Sequence, residues 1–311
     1  MNNDMEEFWK GLQKYLDENH AASEEDVNRL AHEYIQKYNA SLVHRAPLSE
    51  NTAETSEDWM DLAEKTDDPK TAARYVKKAL ELNPDNLDAQ TFQGMLLGKN
   101  PFEQYQAVCK ASQNGKQLME KEGFLPQNKG DFWQLQGTRP YIRTLISKMH
   151  LEEHLGITAE AVKTGEYIME LNEQDNNGIR FELMVLYADL LQKDKAEKLL
   201  KKSEDRGYED GPCLLAITLL YYRLNEWDHA EETLMRLWKS NKDTKKFFDG
   251  VSKGKLNQFE DAIDDIGYRP FTIEELTTVV TENWNIYGKY QSFFFWGNEV
   301  LKKRYKKNRK S

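Results

Sequence analysis

The sequence predicts an all-α protein: a right-handed superhelix of helix-turn-helix repeats, preceded by a helical N-terminal appendage and closed by C-terminal capping helices. Three observations carry this reading. The chain holds only 8 Pro and 17 Gly in 311 residues, which suits long helices better than the many turns of a sandwich. Its first segments place apolar residues at helical spacing. Alanine then returns at Ala161, Ala196 and Ala230, at intervals of 35 and 34 residues.

Residues 1–40 form the appendage. Phe8, Leu12, Tyr15 and Leu16 share one helical face, and Val27, Leu30, Ala31, Tyr34, Ile35 and Tyr38 share another. The SEED of Ser23 to Asp26 supplies a capping-box start for the second helix. From 41 to 56 the stretch SLVHRAPLSENTAETS is polar and lacks a period, and it reads as a linker.

A repeat domain is expected over 57–301. DDPKTAARYVKKALELNPDN aligns with LGITAEAVKTGEYIMELNEQDN through Ala72/Ala161, Glu81/Glu170, Leu82/Leu171 and Asn83/Asn172. The alanine spacing is the period of a tetratricopeptide repeat, in which a small residue lets the second helix of a pair approach the first. Large residues stand upstream where the first helix should be: Leu183 and Tyr187 before Ala196, Ile217 and Tyr221 before Ala230. Pro84 stops one repeat. Residues 87–130 read as an insertion carrying helices at 87–97 and 102–122. After Trp238 the repeat fades, and helices from about Glu260, Ile273 and Tyr290 are expected to cap the stack, because a terminal repeat otherwise exposes its apolar face. Residues 302–311 form a basic C-terminal tail.

The segments FWQLQGTRPYIR, LGITAEAVKTGEYIMELNEQDNNGIRFELMVL and GYRPFTIEELTTVVTENWNIYGKYQSFFFW resemble a family of tetratricopeptide-repeat proteins found mostly in bacteria. The matching positions are Thr138, Arg139, Pro140, Tyr141 and Arg143, then Leu171, Asn172, Asp175, Asn176, Gly178, Ile179 and Arg180. Glu173 stands where that pattern often has proline. The resemblance spans roughly 56–301 and implies a cytosolic helical-repeat protein. It implies no activity.

Composition bounds the partners. The net charge is -10, and removing the seven basic side chains between Lys302 and Lys310 leaves -17 for the body. Such a body repels nucleic acid over most of its surface, so a nucleic-acid or ribosome-associated role is expected only through the basic tail. The longest apolar run, CLLAITLLYY from Cys213 to Tyr222, is about half of the roughly 20 residues a membrane span needs, so no membrane partner is expected. An acidic N-terminus without an apolar core and only two cysteines point to a cytoplasmic protein with reduced thiols.

Candidate chemistry is thin. His150 to His154 reads HLEEH, the H-x-x-E-H string of one class of zinc peptidases. Three fixed letters recur easily in a Glu-rich chain, and His20, His32, His44 and His229 form no second cluster. The metal-hydrolase reading is therefore the weaker alternative, and the histidines are expected on the groove or in solvent. Thr138 is expected to cap a helix with Pro140 in its first turn. Arg139 and Arg143 then sit at i and i+4, either as a fork for a partner's carboxylate or phosphate or, the reading favoured here, in ion pairs such as one between Arg180 and Asp175. No phosphate loop, nucleophile elbow or Cys/His metal spacing occurs elsewhere, so no catalytic residue, metal ligand or cofactor is assigned.

Binding is the remaining reading: an adaptor or scaffold holding a protein or peptide on its concave surface. The inner helices place Asp61, Glu64 and Lys65 there first, then Arg139, Arg143, Ile146, His150 and His154, then Phe181, Val185 and Asp189, and finally Leu215, Leu219 and Tyr222. This lining lacks the Lys/Asn/Arg set by which chaperone-binding repeats hold a C-terminal carboxylate.

Overall fold

The computed structural model describes residues 3–20, 23–44, 48–205, 207, 210–263 and 268–308. They form an all-α helical-repeat fold with no strand among them; isolated bridges tie Gly130 and Asp131 to Asn172. The chain divides into two compact units, Met1–Ile157 with Glu170–Gln174, and Thr158–Met169 with Asp175–Ser311.

Unit 1 opens with α1 (Asn3–Glu18) and α2 (Glu24–His44), which pack through the rings of Phe8, Tyr15, Tyr34 and Tyr38. Ser23 Oγ accepts the Asp26 N–H at 3.1 Å and starts α2. That helix runs to His44, so the stretch read as linker is shorter than expected at its front.

The next four helices of unit 1 each have a side-chain cap at their start. Thr55 and Asp58 form a capping box on α3 (Ser56–Lys65). Asp68 caps α4 (Pro69–Leu82), Asn86 caps α5 (Leu87–Leu97) and Asn100 caps α6 (Pro101–Lys121), with proline in the first turn of α4 and α6. Trp59, Met60 and Ala63 of α3 bury against Tyr75, Val76 and Ala79 of α4 and Ala89 of α5.

Residues 87–130, read from the sequence as an insertion, carry helices that continue this series. Helices α5 and α6 pack as a pair, α5 lies on α4, and both meet α7 (Arg139–His154). Their close approaches use glycine in place of the repeat alanine. A Cβ on Gly94 would stand 2.8 Å from that of Ala107, and one on Gly115 would stand 2.5 Å from the Tyr141 ring. An alanine-based register misses such a pair.

Thr138 does not cap α7 with its side chain. Its hydroxyl instead donates to the carbonyls of Phe132 and Leu135, closing the 3₁₀ turn Gln136–Thr138 ahead of the helix. Behind that turn the Phe132 N–H reaches the Leu171 carbonyl at 3.0 Å, and the Glu173 N–H returns to Gly130 at 2.9 Å. The two blocks of the family resemblance therefore meet through backbone.

Unit 2 contains most of α8 (Thr158–Leu171), then the pairs α9 (Ile179–Asp189) with α10 (Lys193–Asp205) and α11 (Gly211–Arg223) with α12 (Trp227–Ser240). Ala161, Ala196 and Ala230 are completely buried. The turns also keep the period: Leu191 and Asn225 adopt left-handed φ of 56° and 58°, and the next residues, Gln192 and Glu226, donate back to the Tyr187 and Tyr221 carbonyls at 2.9 Å each. This is the bond that closes a helix C-terminus once the following residue turns left-handed.

The chain continues through α13 (Thr244–Val251), α14 (Leu256–Glu260), α15 (Ile273–Glu282), α16 (Trp284–Tyr287) and α17 (Gln291–Asn308). Phe247 and Phe248 of α13 pack edge-on with Phe293 and Phe294 of α17 to make an aromatic core. The basic end is not a separate tail as far as Asn308, since α17 carries it as helix; residues 309–311 lie outside the described residues.

Candidate partner-binding groove

In unit 1, α3 and α5 line a concavity whose floor and far wall come from α6, the Gln136–Gly137 turn and α7. Its volume is about 360 Å³. Glu57, Asp61 and Glu64 recur at i, i+4 and i+7 on α3 and so form one stripe along its wall. Asp85 and Asp88 face it from the start of α5, where the Asn86 cap fixes the backbone, and Glu122 closes one end. Met60, Leu87, Leu118 and Pro140 supply apolar patches between the carboxylates.

One cation lines this cavity, Arg143. Its Nε donates to Asp88 Oδ1 at 2.8 Å and its terminal nitrogen to Oδ2 at 2.5 Å, a two-pronged pair with both side chains about one-third exposed, 33% and 28%. Among the described residues, the lining carries six carboxylates and one guanidinium. Desolvation first, then the charges of Asp88 and Asp61, push the Glu64 carboxyl above the usual range against smaller opposing pulls from positive groups, Arg143 among them. The carboxylates are spread along the walls, and no group of three or more His, Cys, Asp or Glu among the described residues is close enough to hold a metal ion.

The other α7 residues expected in the groove do not border this cavity. Arg139 Nε donates to the Trp133 carbonyl at 2.8 Å, with the guanidinium 5.4 Å from the Trp133 ring centre. Ile146 is half-buried, and His150 and His154 are exposed. Of the acids between them, Glu152 is fully buried under Lys148 at 2.5 Å and the Tyr105 hydroxyl at 3.2 Å. The HLEEH string is thus helix surface plus a buried ion pair.

In unit 2 the expected groove residues are largely core. Val185, Leu215 and Leu219 are at most 1% exposed, which contradicts their assignment to an open surface. The cause is the chain after α14, which lies over that face. Tyr222 donates its hydroxyl to Ser292 at 2.9 Å and packs against Phe293 and Trp296. Asp189 meets Lys289 and the Tyr290 hydroxyl, each at 3.4 Å, and Arg223 stacks over the Tyr290 ring. Phe181 is half-buried beneath the guanidinium of Arg180, which Asp175 and Asp210 hold at 2.7 and 2.9 Å. The run Cys213–Tyr222 of α11, apolar but for Thr218, is the signature of a helix buried on nearly every side.

Of the residues placed on inner helices from the sequence, Asp61, Glu64 and Arg143 border this cavity; Glu57, Asp85, Asp88 and Glu122 border it too and were not named from the sequence. The stripe spacing on α3 would have yielded Glu57. The α5 acids were hidden by reading 87–130 as an insertion.

No protein-family model and no curated protein matches the chain. Among solved structures it is similar to the crystal structure of MamA protein, at 17% identity over 62% of this chain and 95% of that one, with a TM-score of 0.42. It is also similar to a tetratricopeptide repeat protein from Parabacteroides merdae, at 16% identity over 66% and 78% of the two chains, with a TM-score of 0.44. Among the described residues no helix is long and apolar enough to cross a membrane.

Proposed function

We propose that this chain is a protein- or peptide-binding adaptor whose working surface is the groove of unit 1. The observation that carries the reading is an open concavity of about 360 Å³ formed between successive helix pairs and walled by polar side chains on rigid, well-capped helices. Carboxylates spaced along two walls suit an extended segment better than a single ion.

The test is capture of partners from native lysate, with nuclease present and absent, by the natural chain and by Asp61→Lys/Glu64→Lys. Proteins retained through nuclease and lost with the double substitution support the reading. An identical set on both chains, or a set that vanishes with nuclease, overturns it.

A further inference from the structure

A cavity of about 470 Å³ lies among α13, α14, α15, α16 and α17 in unit 2. Two large rings border it while remaining open to water: Trp284 is 41% exposed and Phe295 55%. Phe294, almost completely buried, adds a third ring to the lining. The indole is seated by its neighbour, since a Cβ at Gly288 would stand 2.9 Å from the Trp284 ring. Glycine at that position lets the ring lie close over the backbone. Among the described residues the lining holds one charged group, Glu260. Its side chain is exposed and, like those of Asn257 and Gln291 in the same lining, makes no hydrogen bond or ion pair among the described residues.

We propose that this cavity binds an arginine side chain of a partner polypeptide. A guanidinium is flat and weakly hydrated, so it stacks on exposed aromatic faces such as those of Trp284 and Phe295. The same group donates parallel hydrogen bonds to a carboxylate, and Glu260 has both oxygens unengaged. A purely apolar occupant would cover that carboxylate without giving it a partner, which is costly. Among the described residues no lysine or arginine lines the cavity: Lys253 is drawn to Asp249 at 2.5 Å, and Lys255 stands outside the lining. The amides of Asn257 and Gln291 each offer donors and an acceptor. They suit the peptide groups that flank an arginine and so favour a polypeptide over a small guanidine compound. The site shares no residue with the groove of unit 1 and does not depend on it.

The test is a nuclear magnetic resonance titration of the isotope-labelled full chain with the peptide acetyl-Ala-Arg-Ala-amide. The signal followed is the indole N–H of Trp284, assigned by its absence in Trp284→Phe. The expected result is a saturable shift of that signal. The same peptide with citrulline, a neutral group of the same shape, should bind about tenfold more weakly, the scale of one hydrogen bond to a charged group. Glu260→Gln should weaken the arginine peptide by a similar factor, about tenfold, and Phe295→Ala by about threefold. Both positions are exposed, and the remaining signals verify that each variant is folded.

An indole signal that the arginine peptide leaves unmoved overturns the proposal. So does citrulline that binds as well as arginine, or affinity undiminished in Glu260→Gln. Methylguanidinium that binds as tightly as the peptide overturns the polypeptide as occupant. Asp61→Lys/Glu64→Lys should leave the titration unchanged, whatever it does to capture by the groove of unit 1. A loss in that variant would mean that the indole reports on the groove and not on this cavity, and would overturn the assignment of the site.

Discussion

Units 1 and 2 use the same helix pairs and differ in what covers their inner helices. In unit 1 the facing side chains of α3 and α5 are carboxylates around an open cavity. In unit 2 the corresponding face of α11 is apolar, every residue from Gly211 to Tyr221 is buried, and the chain after α14 lies across it. A repeat therefore becomes binding surface or core according to the composition of its first helix, and the apolar version must be covered by something. Here the cover is the protein's own C-terminal segment. Regions of one chain with the same backbone plan are thus expected to answer mutation in opposite ways.

The largest difference is expected from truncating matched inner-face residues. Leu219→Ala removes a fully buried side chain and should cost about 2–5 kcal/mol. Glu64→Ala in the open groove, at an exposed position of α3, should stay within about 0.5 kcal/mol of the natural chain. Urea unfolding midpoints for the two variants measure this contrast. Near-equal losses would mean that α11 is no more covered than α3.

Ala196→Leu comes next. Ala196 is completely buried at the approach of α10 to its partner, and overpacking there should cost about 1–3 kcal/mol. Gly115→Ala in unit 1 should fall in the same range of roughly 1–3 kcal/mol, because its new Cβ meets the Tyr141 ring. Tolerance of Ala196→Leu would break the alanine register, whereas tolerance of Gly115→Ala would break the equivalence of the α5–α6 pair with the others.

The sequence was transparent at most helix starts, where local chemistry decides, although Thr138, read as a cap by the same rule, closes a 3₁₀ turn instead. Ser23, Asp68 with Pro69, and Asn100 with Pro101 begin helices for reasons visible in a few letters, and the alanine spacing placed three buried contacts in register. It was opaque wherever coverage decides. Inner-face position follows from helical phase, but nothing local to α9 or α11 says that residues some 70–100 positions later will lie on Tyr222 and Asp189. The strongest available clue was the apolar run of α11, which an open groove cannot leave in water. Likewise the basic block read as a tail because its charge is obvious, while its continuation of α17 depends on Phe293, Phe294 and Leu301 anchoring that helix upstream.

Smaller effects are expected at the turns. Leu191 holds a left-handed φ of 56°, a conformation that costs a side-chain-bearing residue roughly 1–2 kcal/mol. Leu191→Gly should therefore raise stability by up to about 1 kcal/mol after the extra freedom of glycine in the unfolded chain is subtracted. At the equivalent position of the preceding pair the chain already has Gly156, at φ 72°. Gly156→Leu should lose a comparable amount. Thermal midpoints that move the same way for both exchanges would break the periodic turn that the two units share.

The finest contrast is between carboxylates. Glu275 is 6% exposed beside Gly211, and its Oε2 accepts the Phe271 N–H at 3.1 Å. Burial pushes its carboxyl up, a smaller repulsion from Asp210 adds to this, and contacts from Phe271 and Asn241 oppose it. A carboxyl whose folded value lies above its unfolded one binds its proton more tightly when folded. Its contribution is therefore complete below the unfolded value and is lost as pH rises through the folded one. Glu275→Gln keeps an acceptor for Phe271 and removes the titration, so its stability relative to the natural chain should climb with pH across that window. Glu50, on the surface of unit 1, has the opposite sign: hydrogen bonds from Arg74 and then Tyr75 hold it down at about 2. Its contribution is present above the unfolded value and disappears as pH falls toward 2, so Glu50→Gln should be at its greatest disadvantage near neutral pH and lose that disadvantage in acid. Urea midpoints of the two variants followed over the same pH series should thus move relative to the natural chain in ways that trace a buried carboxyl in unit 2 and a paired surface carboxyl in unit 1. A Glu275→Gln difference that is flat or falls with rising pH would mean that this carboxyl, carried on α15 of the covering segment, is not buried against Gly211 of α11, and with it would go the covered face on which the comparison depends.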